Sequence, residues 1–255
     1  MEETSPRQNE WESYWRATSQ LVAHADADAG SIWDAEANLV AARDLTRFQS
    51  IVDRSLPLLD LGCGSGIQTK YLAGHFSRLI GADVSEAAVA LAARENAAPN
   101  ITYQQLDIFD ADAVRRLHEQ VGDLNIYMRT LLHLVQPERR PAFAASIATL
   151  LGRRGTLYLY ELGGAAHAYF GGFIARNGMP VRLARVLATG IRPGSVDSEQ
   201  VTAMFSSEGF EILADGETSA EPVPVRVLGS DSLPKLAPEL WAPPAYFMVL
   251  KPRSS

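Results

Sequence analysis

The sequence predicts an α/β fold: a mostly parallel sheet with helices on both faces. Three observations carry the prediction. Short apolar runs over residues 58–61, 79–83, 101–106, 124–128 and 156–162 alternate with stretches of helical spacing, the pattern of strand–helix–strand units. Acids close the first three runs at Asp60, Asp83 and Asp107. The first run passes straight into Gly62-Cys63-Gly64-Ser65-Gly66, a turn whose missing Cβ atoms let the main chain come close to another group.

The elements follow in order. Residues 8–53 read as helical in two pieces. Trp11, Tyr14, Trp15 and Thr18 share one spacing, and Leu39, Ala42, Arg43, Phe48 and Val52 share another; the break lies at His24–Gly30. Ser55-Leu56-Pro57 separates them from the first strand, and a helix over 67–74 follows the glycine turn. Ser85 is a suitable N-cap for a helix over 86–96, because its hydroxyl can satisfy a free N–H of the first turn. Further helices are expected over 112–121 and 137–151, the latter with Phe143, Ile147, Leu150 and Leu151 on one face. Residues 163–194, rich in glycine and aromatics, interrupt the alternation. Asp197 with Gln200 has capping-box spacing and opens another helix. A strand over 210–213, a proline-rich irregular loop over 219–244 and a final strand over 245–251 complete the chain.

Composition narrows the function. The chain has 255 residues, 47% of them hydrophobic, and a net charge of −7. That acidity argues against a nucleic-acid partner, whose binding needs clustered Lys and Arg. The pairs Arg115-Arg116, Arg139-Arg140 and Arg153-Arg154 read as solvated helix faces. Cys63 is the single cysteine, so no disulfide within the chain and no cysteine metal cluster is expected, which fits a cytoplasmic location. The five histidines lack metal-ligand spacing, and no metal is expected. The first residues have neither a basic nor an apolar leader pattern. No apolar run reaches the roughly 18 residues of a membrane span.

The glycine turn excludes some ligands. The dinucleotide fingerprint needs a glycine where Ile67 stands, and the Gly-Lys-Ser/Thr of a phosphate loop is absent. The carboxylate of Asp60 would also repel a phosphate seated there, whereas a cation suits it. Asp60-Leu61-Gly62-Cys63-Gly64-Ser65-Gly66 resembles the first motif of the class I S-adenosylmethionine (SAM)-dependent methyltransferases, an acid followed by G-x-G-x-G. The resemblance implies a Rossmann-like seven-stranded, mostly parallel sheet of order 3-2-1-4-5-7-6, its last strand antiparallel. It also implies SAM as cofactor, bound by Asp60, Gly62, Cys63, Gly64 and Gly66. Asp83, with Val84 beside it, would hold the ribose hydroxyls. Asp107 would receive the adenine amino group, with Ile108 or Phe109 covering the ring. Asp83 could instead serve the dipole of the following helix, and Asp107 could be a turn residue.

Arg129-Thr130-Leu131-Leu132-His133-Leu134 resembles the segment that small-molecule members place beside the transferring methyl group. Arg129 would contact the methionine end of SAM or an acidic substrate. His133 is the candidate general base, histidine being the residue type most often used for that task; packing at a helix start is its alternative. Glu161 is a third catalytic candidate. Tyr14, Trp15, His167, Tyr169, Phe170 and Phe173 are the substrate candidates, and Trp11 would join them in an apolar cover. The expected organisation is an N-terminal helical cap over 1–55 and a SAM-binding domain over 56–252, with an insert at 163–195 as a lid. In the insert, Leu183, Val186 and Leu187 would otherwise pack on the core or on a second copy in a homodimer. The expected function is methylation of a small molecule at oxygen, nitrogen or carbon. Alternatives are a SAM-binding protein with a different reaction, such as cyclisation, or a non-catalytic partner subunit.

Overall fold

The computed structural model describes residues 6–26, 28–32, 37–192, 194–229 and 233–253. Parts of the expected cap (residues 1–5, Ala27 and 33–36) and Pro193 of the insert lie outside the described residues.

Two helices come first, α1 (Pro6–Ala23) and α2 (Ala37–Phe48). Alternation then proceeds through β1 (Leu58–Leu61), α3 (Ile67–Leu72), β2 (Leu79–Asp83), α4 (Glu86–Glu95), β3 (Ile101–Gln105), α5 (Ala111–Val121) and β4 (Asn125–Arg129). Two single turns of 3-10 helix, Leu132–Leu134 and Pro137–Arg139, lead into α6 (Arg140–Leu151) and β5 (Leu157–Leu162). The chain continues with α7 (Ala166–Asn177), α8 (Val181–Ala188), α9 (Ser198–Ser207) and β6 (Phe210–Ser219). It finishes with a small hairpin, β7 (Arg226–Leu228) and β8 (Pro234–Leu236), and β9 (Pro244–Pro252).

Seven strands form one sheet in the order β3-β2-β1-β4-β5-β9-β6. The first five run parallel and β9 lies antiparallel between β5 and β6, as the resemblance implies. β1 and β2 are buried along their whole length, which is why they read as unbroken apolar runs. Side-chain alternation divides the core. Leu59, Leu61, Ile126, Met128, Leu157 and Leu159 pack under α5, α6 and α9. Leu58, Tyr127, Tyr158 and Tyr160 pack under α2 and α3. No helix of the described residues is long and apolar enough to cross a membrane.

Four segments differ from their sequence reading. The insert contains α7 and α8. Gly171-Gly172 in the middle of α7 lowers its intrinsic helicity, but Phe170 and Phe173 are buried against Trp241, and that packing outweighs propensity. The proline-rich stretch contains the β7–β8 hairpin. β6 extends well past residue 213 because β9 pairs with it to Ser219, across a register shift near Ile212. Its polar, half-exposed outer part looks like a loop in sequence. The buried face of α2 is also rotated from expectation: Val40, Ala41, Asp44, Leu45 and Phe48 face inward, while Leu39 is exposed.

Candidate active site

A cavity of about 200 Å³ opens at the carboxyl ends of β1, β2, β3 and β4, where open α/β sheets bind ligands. Asp60, Gly62, Cys63 and Gly64 line it from β1 and its turn, Asp83 and Val84 from the end of β2, and Asp107 and Ile108 from the segment after β3. Arg129 and Thr130 form its wall at the end of β4.

The turn is built for close approach. Gly62 and Cys63 donate their N–H groups to Ala82 O at 2.8 and 3.0 Å, tying the loop to β2. Gly64 has φ +52°, and a Cβ there would stand 2.7 Å from Trp15 Cζ2. Gly66 differs from the other expected cofactor residues because it does not line the cavity. It caps α3 at φ 78°, and a Cβ there would meet Ala92 Cβ at 2.8 Å.

The acids hold the frame of the site. Asp83 Oδ2 accepts from Gly64 N–H and Oδ1 from Ser85 N–H, both at 3.0 Å. Asp60 Oδ2 accepts from Thr69 Oγ1 of α3 at 2.5 Å. Asp107 Oδ1 accepts from Phe109 N–H at 2.9 Å. Three carboxylates serve as acceptors around a cavity that Arg129 and Arg139 also line, and the acids at the glycine turn suit a cationic nucleoside better than a phosphate.

α1 covers the cavity. Trp11 and Trp15, one helical turn apart, line it together with Ser31. Glu12 fixes this helix on the start of α4: its Oε2 accepts from Ser85 Oγ at 2.7 Å and Ala87 N–H at 3.2 Å. Burial raises the Glu12 pKa, but the hydrogen bonds from Ser85, Ala87 and Arg16 outweigh it and leave the carboxyl below its usual range. Tyr14 supports the cover without lining the cavity; its hydroxyl donates to Gly30 O at 3.0 Å.

Behind Arg129 lies a buried polar cluster with one acid at its centre. Asp44 of α2 is 1% exposed. Its Oδ2 accepts from Tyr127 Oη at 2.8 Å and from the Arg129 guanidinium. Its Oδ1 accepts from Tyr158 Oη at 2.6 Å and Arg47 Nη1 at 3.3 Å. Arg129 lies 3.9 Å over the Tyr160 ring. Burial lowers the Arg129 pKa, but the facing Asp44 more than reverses this and keeps the guanidinium charged. The sequence reading missed Asp44, although its spacing from Val40, Ala41 and Phe48 puts an acid on a buried helical face. It also passed over Thr130, a β-branched residue at φ 48°. That left-handed conformation is strained, and the Thr130 N–H donates to Tyr160 O at 2.8 Å.

The catalytic expectations for His133 and Glu161 do not match their placement. Both are buried, and neither lines the cavity. His133 Nδ1 lies 2.6 Å from Glu161 Oε1, and Glu161 Oε2 accepts from the N–H groups of Leu132 and His133. The pair holds the loop after β4 onto β5. The substrate expectations on the insert are displaced too. His167 is exposed, while Tyr169, Phe170 and Phe173 pack around Trp241, and none of the described residues of 163–195 lines the cavity. Aromatic richness shows that a segment packs, not what it packs on. Leu183 and Val186 are buried within the chain itself.

Known proteins resemble this chain. Residues 58–155 match a family model described as a methyltransferase domain. A SAM-dependent methyltransferase from Anabaena variabilis is 36% identical and superimposes with a TM-score of 0.82, over 96% of this chain and 95% of that one. The chain belongs to the SAM-dependent methyltransferase family, and SAM is its cofactor. The DhpI–S-adenosylhomocysteine complex, 14% identical with a TM-score of 0.55 over 99% of this chain and 100% of that one, shares the fold. A ubiquinone biosynthesis O-methyltransferase from Coxiella burnetii is 29% identical over 132 residues, 48% of this chain and 54% of the relative. The chain thus spans about half the length of such curated relatives.

Proposed function

We propose that this protein methylates a small, largely apolar molecule, and that the 200 Å³ cavity is where SAM binds. The convergence of Asp60, Asp83 and Asp107 on one cavity under Trp11 and Trp15 carries the reading. In it Asp83 takes the ribose hydroxyls and Asp107 the adenine amino group, with Ile108 along the ring. Asp60 and the backbone of Gly62–Gly64 face the amino-acid end and its sulfonium. Arg129, held by Asp44, closes the wall beside the methyl group.

SAM, when bound, supplies a methyl group activated by its sulfonium. The protein's share is alignment and exclusion of water. Methyl transfer is an in-line displacement, so holding the acceptor at the methyl contributes much of the rate. The tryptophans of α1 keep water out and strengthen polar contacts inside. In this reading the described residues of 1–55 act as a cap over the domain at 56–252. The O-methyltransferase relatives make oxygen the first acceptor atom to examine. The test is a screen of small-molecule extracts with methyl-labelled SAM: a labelled small-molecule product supports the reading, and label found only in macromolecules contradicts it.

A further inference from the structure

α1 meets the site on both sides of Asp83. On one side Glu12 reaches the start of α4, where its Oε2 accepts from Ser85 Oγ at 2.7 Å and from Ala87 N–H at 3.2 Å. Ser85 is fully buried, and its own N–H donates to Asp83 Oδ1 at 3.0 Å. On the other side Trp15 lies against Gly64, where an added Cβ would stand 2.7 Å from Trp15 Cζ2. The Gly64 N–H in turn donates to Asp83 Oδ2 at 3.0 Å. Glu12, Ser85, Asp83, Gly64 and Trp15 thus form a closed circuit that begins and ends on one helix.

Two kinds of contact hold α1 here, with different consequences. Tyr14 and Trp15 pack with Ala88 and Leu91 of α4 in one apolar cluster. Apolar contact is non-directional, so it keeps α1 against α4 without fixing its position along it. Hydrogen bonds to a carboxylate are directional and about twice as strong as neutral ones, so Glu12 sets that position. The segment after α1 is fastened separately, to α8: Asp28 O accepts from Arg185 Nη1 at 2.7 Å and Ser31 O from Arg182 Nη1 at 3.3 Å. Release of Glu12 therefore frees the turns that carry Trp11 and Trp15 while the segment behind them stays attached.

Resting on the reading of the cavity as the SAM site, we propose that Glu12 is a positioning residue that holds α1 closed over the cofactor. SAM enters, and S-adenosylhomocysteine leaves, when the Glu12 bonds to Ser85 and Ala87 break and α1 shifts from the glycine turn. Glu12 itself does not line the cavity. It acts on the cover rather than on the ligand, and so governs how fast the cofactor exchanges more than how tightly it binds. Opening of such covers sets turnover in many enzymes.

The test is stopped-flow fluorescence on the full chain, with Trp11 and Trp15 reporting the binding and release of S-adenosylhomocysteine. Glu12→Ala should raise the association and dissociation rates together, each about tenfold or more, the lower end for hydrogen bonds to a charged group. Their ratio should stay within about threefold, since a change that acts equally on free and bound protein shifts no equilibrium. Glu12→Gln keeps the side chain's size and one acceptor oxygen, and should move both rates the same way by less. Circular dichroism checks that the variants fold. Unchanged rates in Glu12→Ala, or in Glu12→Gln should the alanine variant not fold, overturn the role. Faster dissociation with unchanged association also overturns it, because that is what a merely structural loosening of Asp83 gives. Absence of binding by the wild type contradicts the SAM reading itself, whereas wild-type binding with unchanged variant rates contradicts the role of Glu12 alone.

Discussion

Asp83 Oδ2 accepts a hydrogen bond from the Gly64 N–H at 3.0 Å. The acid that closes β2 thus fixes the glycine turn that follows β1, and both line one cavity. Shape and charge at the site are coupled through this contact.

Gly64 should tolerate no side chain. A Cβ would stand 2.7 Å from Trp15 Cζ2 at a backbone with φ +52°. Overpacking and left-handed strain each cost roughly 1–3 kcal/mol. Gly64→Ala should lower the melting temperature and weaken SAM binding about tenfold or more, consistent with those costs. Calorimetry with SAM and a thermal melt check this; wild-type values in both contradict it.

Asp44 should matter for stability out of proportion to its distance from solvent. Asp44→Ala leaves Arg129 buried without its counter-charge and removes the acceptor of Tyr127 and Tyr158. Breaking a buried pair by removing one partner costs about 3–5 kcal/mol. Urea unfolding at neutral pH measures the loss, and a change under about 1 kcal/mol would contradict the role drawn for the cluster.

His133 should be structural. A general base contributes about 10²–10⁴-fold to rate. His133→Gln should reduce turnover of the acceptor found by the labelling screen by less than about tenfold. Glu161→Ala should destabilise the chain, because it strips the acceptor from Leu132 N–H and His133 N–H. A hundredfold rate loss in a stably folded His133→Gln protein would restore His133 as the base.

Alkaline pH should unfold the protein through its tyrosines. Burial raises the pKa of Tyr103, Tyr127, Tyr158, Tyr160 and Tyr246, with Tyr160 at about 12. These phenols stay neutral in the folded chain and ionise near pH 10 in the unfolded one. Their contribution is fully present below about pH 10 and is lost as pH rises through the folded values. In a phenolate absorbance titration, five of the eight tyrosines should ionise only together with loss of structure. Ionisation of all eight near pH 10 in a folded chain contradicts this.

The sheet was readable where burial is two-sided. Leu58–Leu61 and Leu79–Asp83 are covered on both faces, so their sequences are continuous apolar runs with an acid at or near the exit. The acid-lined cavity was readable for the same reason, since topology alone brings those exits together. The acceptor half depends on long-range packing that no local pattern records. Phe170 and Phe173 look like cover residues, yet Trp241, far along the chain, claims them. Asp44 was legible in principle, but the helix was read in a phase that put Leu39 and Arg43 inward. His133 has the residue type of a base, and only its partner Glu161 reveals its packing role.

The central claim is that the acid-lined cavity binds SAM through Asp83. Calorimetric titration of SAM into the wild-type protein and Asp83→Ala tests it most directly. Hydrogen bonds to a charged acceptor contribute about 1.5–3 kcal/mol. The account therefore predicts clear binding by the wild type and an affinity at least about tenfold weaker in the variant. Equal affinity in the two proteins, or no binding by the wild type, would contradict it.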